Sequence, residues 1–158
     1  MTSIFWYIYF GIIMKIAIAS DHAGFDLKSF IVKELNQKYR FVDLGCNDSK
    51  TSVDYPDFAN KVAQKIIHQE VDFGILICGS GIGISIAANR FHQVRAALCH
   101  NLETAILARQ HNDANILCLG ARFIDTKTAI QMAESFFATK FEGGRHIKRV
   151  EKLSNDQH

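Results

Sequence analysis

Three short runs, IAIA at 16–19, FGILI at 73–77 and ILCL at 116–119, hold no charged side chain and nothing more polar than one thiol. Strands that bury both faces read this way, as unbroken apolar stretches rather than as an alternation. Between such runs the apolar period changes. Phe25, Leu27, Ile31, Val32 and Leu35 share one side of a helix, as do Phe58, Val62, Ile66 and Ile67. The pattern predicts strands at 15–19, 40–44, 73–77, 94–98 and 116–119. It predicts helices at 24–38, 57–68, 82–90, 102–110 and 126–138. The lone proline, Pro56, stands where the second helix can begin. A basic tail from residue 141 is expected to end in a short helix. Strand and helix alternate five times, which calls for a parallel sheet covered on both sides. The expected fold is α/β: a single Rossmann-like domain, with a five-stranded parallel sheet and helices on both faces.

The chain has 158 residues, enough for one domain with one sizeable core. Its net charge of +2 gives no reason to expect nucleic acid or a membrane surface as a partner. A small anion needs only a local basic cluster. The four cysteines, Cys46, Cys78, Cys99 and Cys118, form no CxxC pair and no metal-ligand spacing, so no metal is expected. Cys78, Cys99 and Cys118 sit in or at the end of apolar runs and read, Cys99 and Cys118 above all, as buried reduced thiols of a cytoplasmic protein. Residues 4–13 are apolar but about half the length a bilayer span needs. No basic residue precedes them and no small-residue cleavage site follows, so they make a poor signal peptide. Residues 1–13 are therefore expected to be a leader, a translation-start artefact or a disordered tail, with a short hydrophobic anchor as the alternative. Met14 is the expected start, the domain spans 14–153, and 154–158 is a tail.

In open α/β sheets ligands bind beyond the carboxyl ends of the strands. There the sequence gathers Ser20-Asp21-His22, Cys78-Gly79-Ser80-Gly81-Ile82-Gly83, Cys99-His100-Asn101 and Gly120-Ala121-Arg122. Acid, imidazole, thiol, hydroxyl and guanidinium groups thus share one edge. The three alternating glycines let a ligand approach the main chain, and the N–H groups of the next helix open into the loop. Such a loop can hold a phosphate or a developing oxyanion, or be no more than a tight turn. It lacks the lysine of a Walker A loop, and GxGxG is not a dinucleotide fingerprint. Cys78 ends the strand beside it, and helix N-termini favour thiolates, so this residue is a candidate base or nucleophile. Ser80 could donate to an oxygen that gains charge.

In the tail, Arg145 and Arg149 are four apart. On one helix they would face the same way, as a phosphate dianion requires, unless the tail is merely solvated. His111 precedes the fifth strand, at the wrong end of the sheet for its own pocket. It is an ordinary helix-end histidine or it reaches a neighbouring subunit.

SDHAGFDLK, DYPDFA, CGSGIGISIAANR, RQHNDANILCLGAR and EGGRHIKRVE together resemble ribose-5-phosphate isomerase type B, of the family that includes the galactose-6-phosphate isomerase subunits. The resemblance runs from Met14 to about Leu153, in order and with matching spacing. It implies interconversion of ribose 5-phosphate and ribulose 5-phosphate in the pentose phosphate pathway, without metal or organic cofactor. It makes Cys78 the base that moves a proton through an enediolate. Other members carry a glutamate in the loop, at the position of Ile84 here. Ser80 stands near the enediolate oxygens, and the backbone of Gly79, Gly81, Ile82 and Gly83 forms the loop around them. His111 matches the residue that opens the furanose ring, with Asp21 close by. Asn112 and Arg122 match substrate contacts. His22, Arg145 and Arg149 match the phosphate set, and Tyr55 borders the sugar. The resemblance also implies a homodimer or homotetramer with shared sites, in which His111 of one chain faces Cys78 of another.

Three other readings differ in testable ways. An isomerase of a longer phosphosugar would differ around residues 48–55. A sugar-phosphate sensor would keep the arginines and lose the base. A receiver domain would need an aspartate where Cys78 stands.

Overall fold

The computed structural model describes residues 13–154. The expected leader falls on residues 1–13 and the expected tail on 154–158, so both lie almost wholly outside the described residues. The strands are β1 (Lys15–Ser20), β2 (Arg40–Asp43), β3 (Phe73–Cys78), β4 (Ala96–Leu98) and β5 (Ile116–Gly120). The helices are α1 (Phe25–Leu35), α2 (Tyr55–Ile67), α3 (Ile82–Ala88), α4 (Leu102–Asn112), α5 (Thr126–Ala138) and α6 (Ile147–Leu153). Short 3-10 turns at His22–Gly24 and Gly144–His146 lead into α1 and α6.

All five strands pair in parallel, in the order β2-β1-β3-β5-β4. The three central strands are the three apolar runs, and they are buried on both sides. On one face Leu27 and Ile31 of α1, Ala105 and Ala108 of α4, and Met132 and Phe136 of α5 pack over Ile16, Ile18, Ile75 and Leu117. On the other, Phe58, Ala59 and Val62 of α2 and Ile84 and Ala88 of α3 pack over Ala17, Ala19, Leu76 and Cys118. The alternating placement of each strand's side chains divides the core in two.

Several ends differ from expectation for local reasons. β4 begins at Ala96 because Asn115 takes the backbone N–H of Arg95, and Asn89 pairs both main-chain groups of Ala96. α2 begins at Tyr55, so Pro56 lies inside its first turn, where no intrahelical N–H is needed. α4 runs on to Asn112, ended by Asp113 in the left-handed region (φ 45°). At its start Asn101 and Thr104 form a reciprocal capping box.

The sequence pattern marks Lys28 only as a residue of the first helix. It is among the largest fully buried side chains of the described residues, and its Nζ lies 2.6 Å from both carboxylate oxygens of Asp43. Asp43 also accepts the N–H of Gly45 at 2.9 Å, so the pair joins α1 to the end of β2 and the loop beyond.

Candidate active site

The crossover that leaves β1 runs to β2 on one side of the sheet, and the one that leaves β3 runs to β4 on the other. That switch point opens a crevice at the carboxyl ends of β1 and β3. The loops there are held together: the N–H of Asp21 donates to the carbonyl of Ile77 at 3.1 Å. Asp21 is buried, and its Oδ1 accepts the N–H of Gly24 at 3.0 Å. Its carboxylate therefore caps the 3-10 turn that carries His22. The Nδ1 of His22 accepts the N–H of Val53 at 3.2 Å, tying this turn to the 46–54 loop.

Cys78 ends β3 and is buried. Its Sγ accepts the N–H of Gly81 at 3.1 Å. The chain can curl back in this way because Gly81 adopts φ 77°, closed to most side chains. A Cβ on Gly81 would also lie 2.6 Å from Leu98 Cδ1 and 2.9 Å from the carbonyl carbon of Leu119. The hydroxyl of Ser80 accepts the N–H of Ile82 at 3.2 Å. The N–H groups of the first turn of α3, Gly83 among them, have no carbonyl to bind within the helix.

Two side chains lie against the backbone of this loop. The guanidinium of Arg122 would stand 2.9–3.2 Å from a Cβ on Gly79, and the ring of Tyr55 2.5–2.9 Å from one on Gly83. The glycines at 79 and 83 are thus the room these two side chains occupy. Arg122 is held there by its own N–H, which donates to the carbonyl of Gly79 at 3.1 Å. Asp21, His22, Tyr55, Cys78, Gly79, Ser80, Gly81, Ile82, Gly83 and Arg122 are therefore gathered at one edge. Ile84, by contrast, points into the core and is fully buried.

The other thiols have different surroundings. Cys99 and Cys118 are buried, and burial pushes the Cys99 thiol up to about 11 and Cys118 well above its ordinary value. Cys46 donates to the carbonyl of Asp48 at 3.3 Å.

His111, Asn112, Arg145 and Arg149 are elsewhere. His111 and Asn112 form the last turn of α4, next to the amino end of β5. The N–H of Glu142 donates to the carbonyl of Gln110 at 3.0 Å and fastens the tail there. The rings of His111 and His146 stack, with centroids 4.3 Å apart. Burial, and then the positive charge of His111, Arg145 and Arg149, holds His146 below the usual histidine range, against the opposing pull of Glu142. Arg145 sits in the 3-10 turn and Arg149 in α6, so the expected single helical face is a junction of two elements. A cavity of about 420 Å³ flanks edge strand β4, lined among others by Asn89, Arg95, Asn112 and Leu153. It does not include Cys78. β5 has five residues and so spans about 17 Å, and that length separates the two groups within one chain.

A parallel sheet with a thiol, a glycine loop and an imidazole at its switch point defines a class: a small α/β enzyme built for a compact polar ligand. The ribose/galactose isomerase family matches residues 16–153, and the chain belongs to that family. It is 44% identical over 141 residues to ribose-5-phosphate isomerase B of Escherichia coli, covering 89% of this chain and 94% of that protein. The crystal structure of a ribose 5-phosphate isomerase from Thermotoga maritima superposes with a TM-score of 0.87 at 49% identity, covering 89% of this chain and 97% of that one. That of ribose-5-phosphate isomerase B from Mycoplasma genitalium, with bound ribulose-5-phosphate, gives 0.84 at 46%, covering 89% and 93%.

Lys28, Asp43, Glu142 and His146 were not singled out from the sequence. Their signals were present, a lysine inside an apolar helical face and a histidine four residues from a glutamate, but both patterns are common on exposed surfaces.

Proposed function

We propose that the chain interconverts ribose 5-phosphate and ribulose 5-phosphate, with the sulfur of Cys78 as the base. The observation that carries this reading is the N–H of Gly81 aimed at Sγ from within a glycine loop. That hydrogen bond fixes where the sulfur points, and the same loop has N–H groups to spare for an oxygen. The proton on C2, beside the C1 carbonyl, is weakly acidic, so its removal depends on stabilising the enediolate. Each donor aimed at that oxygen contributes about 2.7–4 kcal/mol, and a positioned base about 10²–10⁴-fold. The sulfur takes the proton from C2 and returns it to C1, and the hydroxyl proton moves from O2 to O1, so that the aldose becomes the ketose. The charge on oxygen is met by the loop N–H groups and the Ser80 hydroxyl. Ile84 has no proton to exchange.

His111 opens the furanose ring, with Asp21 close by. Asn112 and Arg122 contact the sugar, Tyr55 borders it, and His22, Arg145 and Arg149 hold the phosphate. The phosphate takes no part in the chemistry; its binding energy holds the sugar in place. His111, Asn112, Arg145 and Arg149 lie a sheet's length from Cys78, so they serve the site of another copy. This supports a homodimer or homotetramer with shared sites. The four unpaired thiols fit a reducing, cytoplasmic setting, and the reaction fits the pentose phosphate pathway.

The test is conversion of ribose 5-phosphate by the parent and by Cys78→Ser, with EDTA present. The expected result is an active parent and a loss of at least about 10²-fold in the variant, with substrate binding kept. An active variant would remove Cys78 as the base. An inactive parent that binds ribose 5-phosphate would point to another sugar or to a sensor.

A further inference from the structure

The last turn of α4 and the turn before α6 bring together two imidazoles and a carboxylate. Nε2 of His111 lies 3.9 Å, and Nε2 of His146 3.7 Å, from the same Oε2 of Glu142. One ligand atom from each residue falls within 4.8 Å of the others. The scaffold beneath them is main chain: Glu142 N–H to Gln110, and His146 N–H to Gly143, both at 3.0 Å. His146 is buried, while His111 and Glu142 are open enough to turn.

We propose that His111, Glu142 and His146 form a binding site for a borderline divalent cation, zinc above all, and that its occupation withdraws His111 from catalysis. Two nitrogens and one carboxylate oxygen are the ligand set of open three-residue zinc sites. Magnesium and calcium, which seek oxygen, are poor matches. Ligand atoms at about 2.0–2.1 Å from a tetrahedral zinc lie about 3.4 Å from one another. The two nitrogen–oxygen separations need to close by only a few tenths of an ångström, and the exposed Glu142 can supply that. The stacked rings must also fan apart, so that their lone pairs converge. His111 is the outer, half-exposed ring and is the one free to rotate. A fourth position remains for water.

Zinc takes the Nε2 lone pair of His111. A nitrogen bound to zinc cannot exchange a proton with the ring oxygen of a sugar. Zinc therefore acts as a reversible inhibitor rather than a cofactor. This consequence rests on the role in ring opening proposed above; the binding site does not.

Zinc is titrated into EDTA-stripped, desalted full-length protein by calorimetry, and cobalt substitution is followed by visible absorption. The parent is expected to bind one ion per chain, with tetrahedral cobalt bands and no thiolate charge-transfer band. Glu142→Gln, a surface change, and His146→Asn are expected to weaken binding by roughly tenfold or more. Zinc is expected to inhibit the parent, EDTA to reverse it, and Glu142→Gln to be active and resistant. Absence of binding, equal binding in parent and variants, or a thiolate band would overturn the site. Binding lost in the variants without inhibition of the parent would keep the site and overturn the part given to His111 in ring opening. A parent inactive on ribose 5-phosphate would overturn the proposed activity, with the binding data still deciding the site.

Discussion

A single glycine sets the shape of the reactive loop. Gly81 combines φ 77° with a space that Leu98 and the main chain of Leu119 have already closed. Its N–H meets the sulfur of Cys78 only in that conformation. Gly81→Ala is therefore expected to cost about 1–3 kcal/mol of stability, through backbone strain alone, before the clash is counted. It should also lower kcat/KM by at least about 10²-fold, since the donor moves away from Sγ. Chemical denaturation and steady-state kinetics on the same preparation separate the two effects. A variant of unchanged activity would show that the Gly81 N–H has no part in the reaction. Glycines in the loop were legible from the sequence. Which glycine is conformational and which ones make room for Tyr55 and Arg122 was not, because those partners come from α2 and from the end of β5.

At the scale of elements, the pair Lys28–Asp43 joins α1 to β2. Lys28 has 2% of its side chain exposed and Asp43 44%. Removing the acid leaves a buried cation without a partner. Asp43→Asn should cost toward the lower end of about 3–5 kcal/mol, because Asp43 itself is half in water. Adding Lys28→Met should recover much of that loss, since an apolar chain of similar length needs no counter-charge. Urea unfolding of the two variants checks this, and equal losses would refute it. The junction of α4 with the tail adds a pH dependence. His146 faces His111, Arg145, Arg149 and Glu142, and its native form resists the proton that the unfolded chain accepts near 6.5. Below that pH the unfolded state binds more protons, so stability falls until native His146 is itself protonated; above it this contribution is flat. Thermal unfolding between pH 5 and 8 is expected to show the fall, and His146→Gln to reduce it. An unchanged slope in that variant would place the effect elsewhere.

For the whole molecule, the expected shared site makes one strong prediction. Mixed and refolded Cys78→Ser and His111→Asn chains should regain activity that neither has alone. Random pairing leaves about half the dimers mixed, each with one intact site, so recovery should approach a quarter of the parent's activity. No recovery would mean that both residues act within one chain or that one of them is not required. The same separation explains why the cavity beside β4 contains Asn112 and not Cys78.

The sequence by itself determined the layers of this protein. Apolar runs at 73–77 and 116–119 are too short for helices and read as strands buried on both sides, and the helical periods between them call for crossovers. It also determined one edge of the site, because residues that follow parallel strands must emerge together, as Asp21, Cys78 and Arg122 do. Membership of the family was legible from motifs that include the loops at that edge, the run from the end of α4 through β5, and the tail. Tertiary structure alone decided the partnerships. The pairing of Lys28 with Asp43 depends on the register of α1 against β2, which no local pattern encodes. His111, Glu142 and His146 meet because the tail begins where α4 ends, although 30 residues and a strand–helix pair lie between them. Sequence spacing reports neighbours along an element; only packing brings separate elements within the few ångströms at which charges and lone pairs interact.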